Sequence, residues 1–500
     1  MKKILMILSA LLVLCLSSSA LACTSLYVGS AYTENGSIMF SRSEDFSNSQ
    51  NKVFMVKEAG LHKAGEVYNG CYGFAYTFTH DSYSYTAFRD DNLLGVCPDC
   101  GGTHDHTPYE AAGTNEKGVT VTATETIGSS NGVNQFDPFE KLGIEEAEIV
   151  TVLLSEASSA KEALDILTGI YDATGANNGS GIIIADANEA WYIENVTGHQ
   201  YIAVKLSPLA VFVEPNMSII GLIDLDDTEN VVASEKLISL AVENGFFCGD
   251  EEKNIIDFTA SYNAGQSANT RIKDALGFLN PALDAEDAAV YTITNIDEND
   301  NIIPVQTGIT VKNGFTVKDF VDLYKIPTIG YERNLETHIF EIKDASAAGT
   351  AEWVALDDAS CNVFVPYLPM LTTDTYTGCK LGTETAGFET EAPESGICYK
   401  TSQRMRTPDG VKTVEGYVTL PENWRDSYYW SYDALTNLVK FGGFNEAQVA
   451  DVKAQLAALQ DSFYEQYASL LTGDATAISM DMAKQAHEEA IALVEGLLSE

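Results

Sequence analysis

The order of strand-like and helix-like segments is the feature of this sequence that most constrains its fold. Apolar or alternating runs of strand length occur in two sets, at 23–29, 36–41 and 52–57 and then at 118–124, 181–186, 190–195, 200–206 and 210–214. Runs of this length between Gly, Asn and Asp residues predict β-strands. Glu34-Asn35-Gly36 predicts a hairpin in the first set, and the short turns of the second set predict an antiparallel meander.

Two segments between these sets have helical periodicity. Residues 145–157 and 159–171 place apolar side chains three and four apart, and Ser158 is the expected N-cap of the second helix. A further helix is expected from Asn445 to Gly473. Its apolar face comprises Val449, Val452, Leu456, Leu459, Phe463, Tyr467 and Leu470. We interpret this face as core packing. Two antiparallel sheets with helices packed outside, an α+β architecture, satisfy the whole order.

Residues 1–22 have the features of a secretory signal peptide. Two lysines precede an apolar run at 4–16, which is shorter than the about 20 residues of a transmembrane helix. The small residues Ala20 and Ala22 predict cleavage after Ala22, which makes Cys23 the first residue of the mature chain. We therefore expect an exported, soluble protein, with periplasm, cell surface and medium left open.

A cysteine directly after a signal peptide has a second interpretation. Lipoprotein signals also end in cysteine, so the chain is alternatively a lipid-anchored surface binding protein acylated at Cys23. Against this, Ala20 stands where lipoprotein signals favour a leucine-like residue, and no Gly/Ser tether follows. Cys23 instead runs directly into a predicted strand, and such rigid placement suits a nucleophile better than an anchor.

Composition predicts one large globular unit. The chain has 500 residues, 45% of them hydrophobic, and no Pro/Ser-rich linker divides it. We expect a main domain at 23–430 and a helical C-terminal extension at 431–500 packed on it. The formal net charge of −43 opposes binding to nucleic acid or to an anionic membrane. A homo-oligomer is left open.

The chemistry expected of a thiol nucleophile centres on Cys23. A thiol attacks as thiolate and needs a nearby base or cation, and a free α-amino group with a pKa of about 8 can be that base. Downstream, Arg42 and Asp45 supply a cation and a carboxylate, although an Arg-x-x-Asp run alone is usually a solvated turn. No phosphate loop, His-Glu-x-x-His motif or Gly-x-Ser-x-Gly motif is present in the sequence. His338 lies in an apolar run and is expected to be a core histidine.

Several short motifs together resemble the dipeptidase A family of cysteine-type Ntn-hydrolases. A more distant likeness is to choloylglycine hydrolases and penicillin V acylases. The motifs are Cys-Thr at 23–24, Ser-Arg-Ser-Glu-Asp at 41–45, Gly-Thr-Asn-Glu-Lys-Gly-Val at 113–119, Ala-Thr-Glu-Thr at 123–126, Val-Glu-Pro-Asn at 213–216, Ile-Asp-Leu-Asp-Asp at 223–227, His-Ile-Phe-Glu-Ile at 338–342 and Val-Phe-Val-Pro-Tyr at 363–367.

This resemblance implies a fold and a set of catalytic roles. The fold is a four-layer αββα sandwich, and the activity is hydrolysis of short peptides with a free N-terminus, without a cofactor. Cys23 is the implied nucleophile and its own α-amine the implied base. Arg42 is expected beside the sulfur, and Asp45 is expected to hold the α-amine.

The resemblance also implies groups that contact the substrate. Asn216 matches the family's oxyanion-hole amide, together with the backbone N–H of Glu125, and Arg271 matches a downstream arginine of related acylases. Glu125 and Asn115 are expected to bind substrate, Glu125 by gripping the α-ammonium of a dipeptide. The alternative for Glu125 is a strand carboxylate paired with some Lys or Arg. An N-acyl amidohydrolase of the same fold is the alternative activity, and the carboxylate at Glu125 argues against it.

One segment departs from the family pattern. Cys97, Cys100, His104 and His106 have the spacing of a zinc knuckle, but without a second cysteine pair the thiols are alternatively free or joined in a disulfide. We predict no catalytic metal. The remaining cysteines are expected to include a bridge or two, and these are Cys71, Cys248, Cys361, Cys379 and Cys398.

Overall fold

A computed structural model describes most of the chain after residue 22. The described residues are 23–45, 51–70, 73–91, 109–125, 127, 132–263, 270–282, 291–309, 311–381, 387–393, 397–407 and 410–499. None of the helices in these ranges is both long and apolar enough to cross a membrane.

The strands are short and distributed along the whole chain. They are β1 (Thr24–Val28), β2 (Ile38–Asp45), β3 (Lys52–Lys57), β4 (Val67–Asn69), β5 (Ala75–Thr77), β6 (Tyr85–Asp90), β7 (Glu110–Thr114), β8 (Thr120–Glu125), β9 (Ser180–Ala185), β10 (Ala190–Asn195), β11 (Tyr201–Lys205), β12 (Val211–Glu214), β13 (Leu222–Asp224), β14 (Val231–Ala233), β15 (Gly249–Asp250), β16 (Ile255–Asp257), β17 (Thr294–Ile296), β18 (Ile302–Gln306), β19 (Asn334–Ile342), β20 (Thr350–Leu356), β21 (Val365–Tyr367), β22 (Gly387–Glu389), β23 (Cys398–Thr407) and β24 (Gly410–Thr419).

The α-helices lie between the strand groups and at the C-terminal end. They are α1 (Glu146–Glu156), α2 (Ala160–Thr174), α3 (Leu237–Asn244), α4 (Phe258–Tyr262), α5 (Thr270–Leu279), α6 (Val317–Leu323), α7 (Thr377–Lys380), α8 (Tyr428–Phe441), α9 (Glu446–Leu470) and α10 (Ala475–Ser499). The mixture of antiparallel sheets and helices agrees with the predicted α+β class.

Two large antiparallel sheets form the centre of the molecule. The six-stranded sheet has the order β12-β1-β2-β19-β20-β21, and the eight-stranded sheet has the order β14-β11-β10-β9-β8-β7-β6-β3. The sheets face each other. The Ser25 hydroxyl lies 3.1 Å from the Thr124 hydroxyl, and the Tyr192 and Phe212 rings are 4.8 Å apart across the gap.

Helices cover the outer faces of both sheets. Helices α1 and α2 pack on β7–β10, where Leu153 and Leu164 belong to one buried cluster with the strand residues Val121 and Ile184. Helices α8, α9 and α10 pack near β20 and β21, and Trp430 of α8 is fully buried there. The layer order is therefore helix, sheet, sheet, helix.

Two strands pair differently from the sequence prediction. We expected 52–57 in the first sheet, but β3 is an edge strand of the eight-stranded sheet and pairs with β6. We expected 210–214 to continue the meander, but β12 crosses to the other sheet and pairs with β1. Both segments are apolar runs, and such a run predicts burial without specifying the partner strand.

The predicted helices begin close to their expected positions. The N-cap of α2 is Ser159, not Ser158, because the Ser159 side chain accepts the bond from the backbone N–H of Glu162 while the Ser158 hydroxyl donates to the Glu162 carboxylate. Asn445 caps α9 as predicted, and its side chain accepts bonds from the backbone N–H groups of Ala447 and Gln448.

The expected disulfide is not found among the described cysteines. Cys248, Cys361, Cys379 and Cys398 are free thiols, and Cys361 and Cys379 are buried, where a free cysteine packs as a small apolar residue. Cys71 lies outside the described residues.

Candidate active site

Cys23 directly precedes β1, which is the second strand from one edge of the six-stranded sheet. β1 has β12 on one side and β2 on the other, with Ser25 opposite Glu214 and Arg42. Only 6% of Cys23 is exposed. The thiol is thus held on rigid backbone at the edge of the space between the sheets.

Arg42 on β2 is the cation next to the thiol. Its Nη2 donates to Cys23 Sγ at 3.2 Å and to Glu146 Oε1 at 2.7 Å, while Nη1 donates to the backbone oxygen of Ala111 at 3.4 Å. Arg42 is fully buried, so the ion pair with Glu146 is shielded from water. Such a pair is rigid and geometrically defined, which suits the positioning of a charge.

Tyr109 and Lys52 extend this cluster beyond Arg42. The Tyr109 hydroxyl lies 2.7 Å from Glu146 Oε1 and 3.1 Å from Arg42 Nη2. Lys52 Nζ lies 4.4 Å from the centre of the Tyr109 ring. It also pairs with Glu44 at 2.7 Å.

A second arginine holds the main chain around Cys23. Arg271, in the first turn of α5, donates through Nη1 to the backbone oxygen of Cys23 and, at 3.0 Å, to Thr24 Oγ1. Its Nη2 donates to the backbone oxygen of Pro215 at 2.7 Å, and both nitrogens lie 3.4 Å from Asn216 Oδ1. One guanidinium therefore joins β1, the turn after β12 and α5.

Asn216 has a left-handed backbone. Its φ is 59°, a conformation that Asn adopts more readily than most residues with a side chain. Because Arg271 lies at Oδ1, the amide nitrogen of Asn216 points away from that guanidinium. An amide donor held this way next to β1 has the chemistry required of an oxyanion-hole group.

Asp45 lies at the end of β2, next to the same arginine. Its carboxylate accepts a hydrogen bond from the Tyr331 hydroxyl at 3.0 Å and another from Asn334 Nδ2. Burial raises the pKa of Asp45 to about 7, and the charge of Arg271 opposes that rise. Asp45 is thus a carboxyl group able to change its charge near neutral pH.

The thiol itself is hard to ionise where it lies. Burial raises the pKa of Cys23 to about 12, and Arg42 opposes the rise. The charges of Glu146, Asp45 and Glu44 add to it. A thiolate at this position therefore depends on the nearby guanidinium.

The structure brings most of the predicted site residues together. Arg42 and Arg271 contact Cys23, Asn216 contacts Arg271, and Asp45 interacts electrostatically with both Cys23 and Arg271. His338 is a core histidine as expected, with its ring nitrogens 2.9 Å from Glu336 Oε2 and 2.9 Å from Thr122 Oγ1.

Asn115 has a structural role instead of the substrate contact that we predicted. Its Nδ2 donates to the backbone oxygens of Leu154 and Ala157, and its Oδ1 accepts from the backbone N–H groups of Lys117 and Val119. The side chain thus ties the β7–β8 turn to the end of α1. That turn lies at the opposite end of β8 from Thr124, which contacts β1, so Asn115 is roughly 15 Å from the nucleophile end of the strand.

Other predicted site residues are only partly described. The backbone of Glu125 pairs with Ser180 at the end of β8, and its side chain lies outside the described part. The candidate zinc residues Cys97, Cys100, His104 and His106 also lie outside it. Among the described residues, no group of three or more potential ligands is arranged to hold a metal ion.

Glu146 and Tyr109 were not found by sequence reasoning. The cluster Glu145, Glu146 and Glu148 marks the acidic first turn of α1, which the sequence could have indicated. Nothing in the helical periodicity shows that one of these carboxylates faces Arg42, because that contact depends on how the helix packs on the sheet.

Comparison with known proteins identifies the family of this chain. The sequence profile described as Peptidase family C69 matches residues 22–390, which is most of the chain. The chain belongs to peptidase family C69. This membership confirms the predicted resemblance and the prediction of a hydrolase of the cysteine-peptidase type.

Similar curated proteins support the same assignment. A probable dipeptidase B of Streptococcus pyogenes serotype M18 is 28% identical over 393 residues, covering 72% of this chain and 75% of that one. A probable dipeptidase of Salmonella dublin is 28% identical and covers 69% and 81%, and one of Latilactobacillus sakei is 26% identical and covers 87% and 84%.

Among solved structures, a mutant of conjugated bile acid hydrolase from Clostridium perfringens aligns with this family member. The alignment has 11% identity and a TM-score of 0.30, and it covers 69% of this chain and 96% of that one.

Proposed function

We propose that this C69 peptidase is an exported dipeptidase whose nucleophile is an N-terminal Cys23. Removal of residues 1–22 would create that terminus, and the two-sheet core would be the αββα sandwich of an Ntn-hydrolase. The dipeptidase names of the similar proteins support the substrate class. The division at residue 430 into a main domain and an extension stays a prediction.

The contact between the Cys23 thiol and a fully buried guanidinium is the observation that best supports this mechanism. Arg42 Nη2 lies 3.2 Å from Cys23 Sγ. The charges around the thiol are balanced, because the cations Arg42, Arg271 and Lys52 lie beside the carboxylates Glu146, Asp45 and Glu44. The proposed substrate class therefore rests on the dipeptidase names of the similar proteins.

The α-amine of Cys23 would act as the base. In the proposed reaction it takes the thiol proton, and the thiolate attacks the carbonyl carbon of the peptide bond. The amide of Asn216 would stabilise the charge on the carbonyl oxygen. As the C–N bond breaks, the α-ammonium gives its proton to the leaving amine and a thioester remains. Water activated by the same amine then hydrolyses the thioester and restores the thiol.

Arg42 has a definite task in this scheme. The pKa of the buried thiol is about 12 even with Arg42 beside it, whereas a free α-amine has a pKa of about 8, so proton transfer to the amine is unfavourable in the free enzyme and would be more so without the guanidinium. The guanidinium lowers the energy of the thiolate, and Asp45 would hold the amine in place.

Two other functions remain as competing hypotheses. An N-acyl amidohydrolase of the penicillin V or bile-salt type would bind an anionic substrate, which a carboxylate at position 125 would disfavour. A lipid-anchored binding protein acylated at Cys23 would have a blocked amine and no use for the ion pair beside the sulfur.

The decisive experiment compares free and N-acylated dipeptides as substrates of the exported protein. Its intact mass and N-terminal sequence are measured first, and then Cys23→Ser is assayed beside Cys248→Ser, which removes an exposed free thiol. We expect a Cys23 terminus, at least about 10³-fold loss of kcat/KM in Cys23→Ser, and full activity in the control.

Three results would contradict the proposal. Undiminished activity in Cys23→Ser would exclude Cys23 as the nucleophile. Equal turnover of N-acetylated dipeptides would exclude recognition of the ammonium. A lipid mass at the terminus would favour the anchored protein.

A further inference from the structure

Nη2 of Arg42 has more hydrogen-bond acceptors around it than hydrogens to donate. Nη2 carries two hydrogens but has three acceptors within reach, at 2.7 Å on Glu146, 3.1 Å on Tyr109 and 3.2 Å on Cys23. The shortest contact takes one hydrogen. The thiol sulfur and the Tyr109 oxygen share the other.

Tyr109 and Glu146 form a unit around this nitrogen. The Tyr109 hydroxyl donates its own hydrogen to Glu146 Oε1 at 2.7 Å, so its oxygen faces Arg42 only as an acceptor. One carboxylate oxygen thereby binds two donors. The guanidinium, which is fully buried, is fixed by charge and by geometry.

Glu146 is well placed to remain ionised. It is the first residue of α1, where the helix dipole favours a negative charge. It is also the ion-pair partner of a cation that cannot lose its proton. Because the helix dipole and the ion pair both favour its charged form, the Glu146 carboxylate can hold the Arg42 guanidinium in one position.

We propose that Glu146, together with Tyr109, is the positioning residue that holds Nη2 of Arg42 against the sulfur of Cys23. The proposal rests on the proposed function in one respect, that Cys23 is the nucleophile. Glu146 does not touch substrate in this role. It acts through Arg42.

The same carboxylate also opposes the thiolate that it helps to form. The two hydrogen bonds in series place Glu146 Oε1 within about 6 Å of Cys23 Sγ. At that distance two negative charges repel each other strongly in a buried site. A neutral side chain of the same shape should therefore keep the bond to Arg42 and make the thiol easier to ionise.

The experiment measures how fast iodoacetamide alkylates Cys23 as a function of pH in the mature protein. Cys248→Ser is the background, because it removes an exposed thiol, and mass spectrometry reports modification at Cys23 itself. In Glu146→Gln we expect the midpoint of the alkylation profile to fall by about half a pH unit or more.

Loss of the positioning itself is tested with Glu146→Ala. Arg42 then lacks its anchor, so we expect kcat for dipeptide hydrolysis to fall about 10- to 100-fold with little change in KM. Glu148→Gln is the matched control, since Glu148 is buried in the same helical turn and accepts a bond from the backbone N–H of Glu145. It should change stability but leave the alkylation midpoint unchanged.

An unmoved midpoint in folded Glu146→Gln, or undiminished kcat in folded Glu146→Ala, would overturn the proposal. So would an equal fall in Glu148→Gln, because the effect would then be a general one of the helix terminus. Alkylation needs no substrate, so the alkylation results are independent of whether Cys23→Ser loses its turnover.

Discussion

Two fully buried carboxyl groups in different parts of this molecule have opposite protonation behaviour. Glu110 lies between the eight-stranded sheet and α1, where Lys57 Nζ is 3.1 Å away and Thr151 and Tyr85 donate to it at 2.8 and 2.9 Å. Glu352 lies on β20, between the two sheets. Both are 0% exposed.

Burial acts on both groups in the same direction, and the neighbours decide the outcome. Burial tends to raise the pKa of Glu110, but Lys57 and the two hydroxyl donors outweigh it and the pKa falls below its usual value. Burial raises the pKa of Glu352 to about 8, the nearby Thr86 hydroxyl opposes this rise, and the charge of Glu336 adds to it. A cation at the helix–sheet interface thus keeps one carboxylate charged, while the other is neutral at pH 7.

Removing Lys57, the cation beside Glu110, should have the largest effect on the difference between the two buried carboxyl groups. Lys57→Met leaves Glu110 buried without its ion-pair partner, and we expect a loss of about 3–5 kcal/mol in the free energy of unfolding, measured by urea denaturation at pH 7. Adding Glu110→Gln to Lys57→Met should restore most of the loss. A loss below about 1 kcal/mol in the single variant would show that the pair does not decide the ionisation.

Neutralising Glu352 should raise the free energy of unfolding, whereas removing Lys57 should lower it. Glu352 has a folded pKa of about 8 against a reference value of 4.5, so its contribution to stability is fully present below pH 4.5 and is lost as pH rises through 8. Glu352→Gln removes the ionisable group, so the variant does not lose stability in this way as the pH rises. We expect the variant to be more stable than the parent by roughly 4 kcal/mol at pH 8 and about equal to it at pH 4.5. A difference that does not depend on pH would contradict the assignment.

A hydroxyl donor should matter less than the lysine. Tyr85→Phe removes one hydrogen bond to a charged Glu110 while leaving Lys57 in place, so we expect a cost of about 1–2 kcal/mol in urea unfolding. The same substitution at Tyr83, which does not bond Glu110 in the described structure, serves as the control. A cost as large as that of Lys57→Met would mean that the hydroxyl, not the cation, stabilises the charge.

An exposed pair should show almost no effect. Lys63 and Asp81 are 2.9 Å apart, but their side chains are 63% and 58% exposed. Lys63→Ala should leave the midpoint of urea unfolding unchanged within error, because water screens the pair. A clear decrease would show that burial is not what distinguishes the Lys57 pair.

The sequence predicts the local structure of this chain better than its long-range pairing. The β1–β2 hairpin, the β9–β11 meander and the Asn445 cap follow from turn residues and periodicity, which act within a few positions. The crossing of β12 to the other sheet does not follow from these local signals, because an apolar run does not specify the strand with which it pairs.

The candidate site shows the same limit. The motif resemblance places Cys23, Arg42 and Arg271 correctly in one cluster. It gives no sign of Glu146, whose contact with Arg42 depends on the angle at which α1 packs. It also misassigns Asn115, whose four backbone partners become visible only when the turn and the end of α1 meet.

The position of the first strand between two others also limits when the site can be assembled as the chain folds. β1 and β2 come early in the chain, yet their neighbours β12 and β19 end only at residues 214 and 342. Arg271 follows Cys23 by 248 positions. Contacts between such distant parts of a chain form late and slowly. The surroundings of Cys23 therefore require about the first two thirds of the chain to be available for folding.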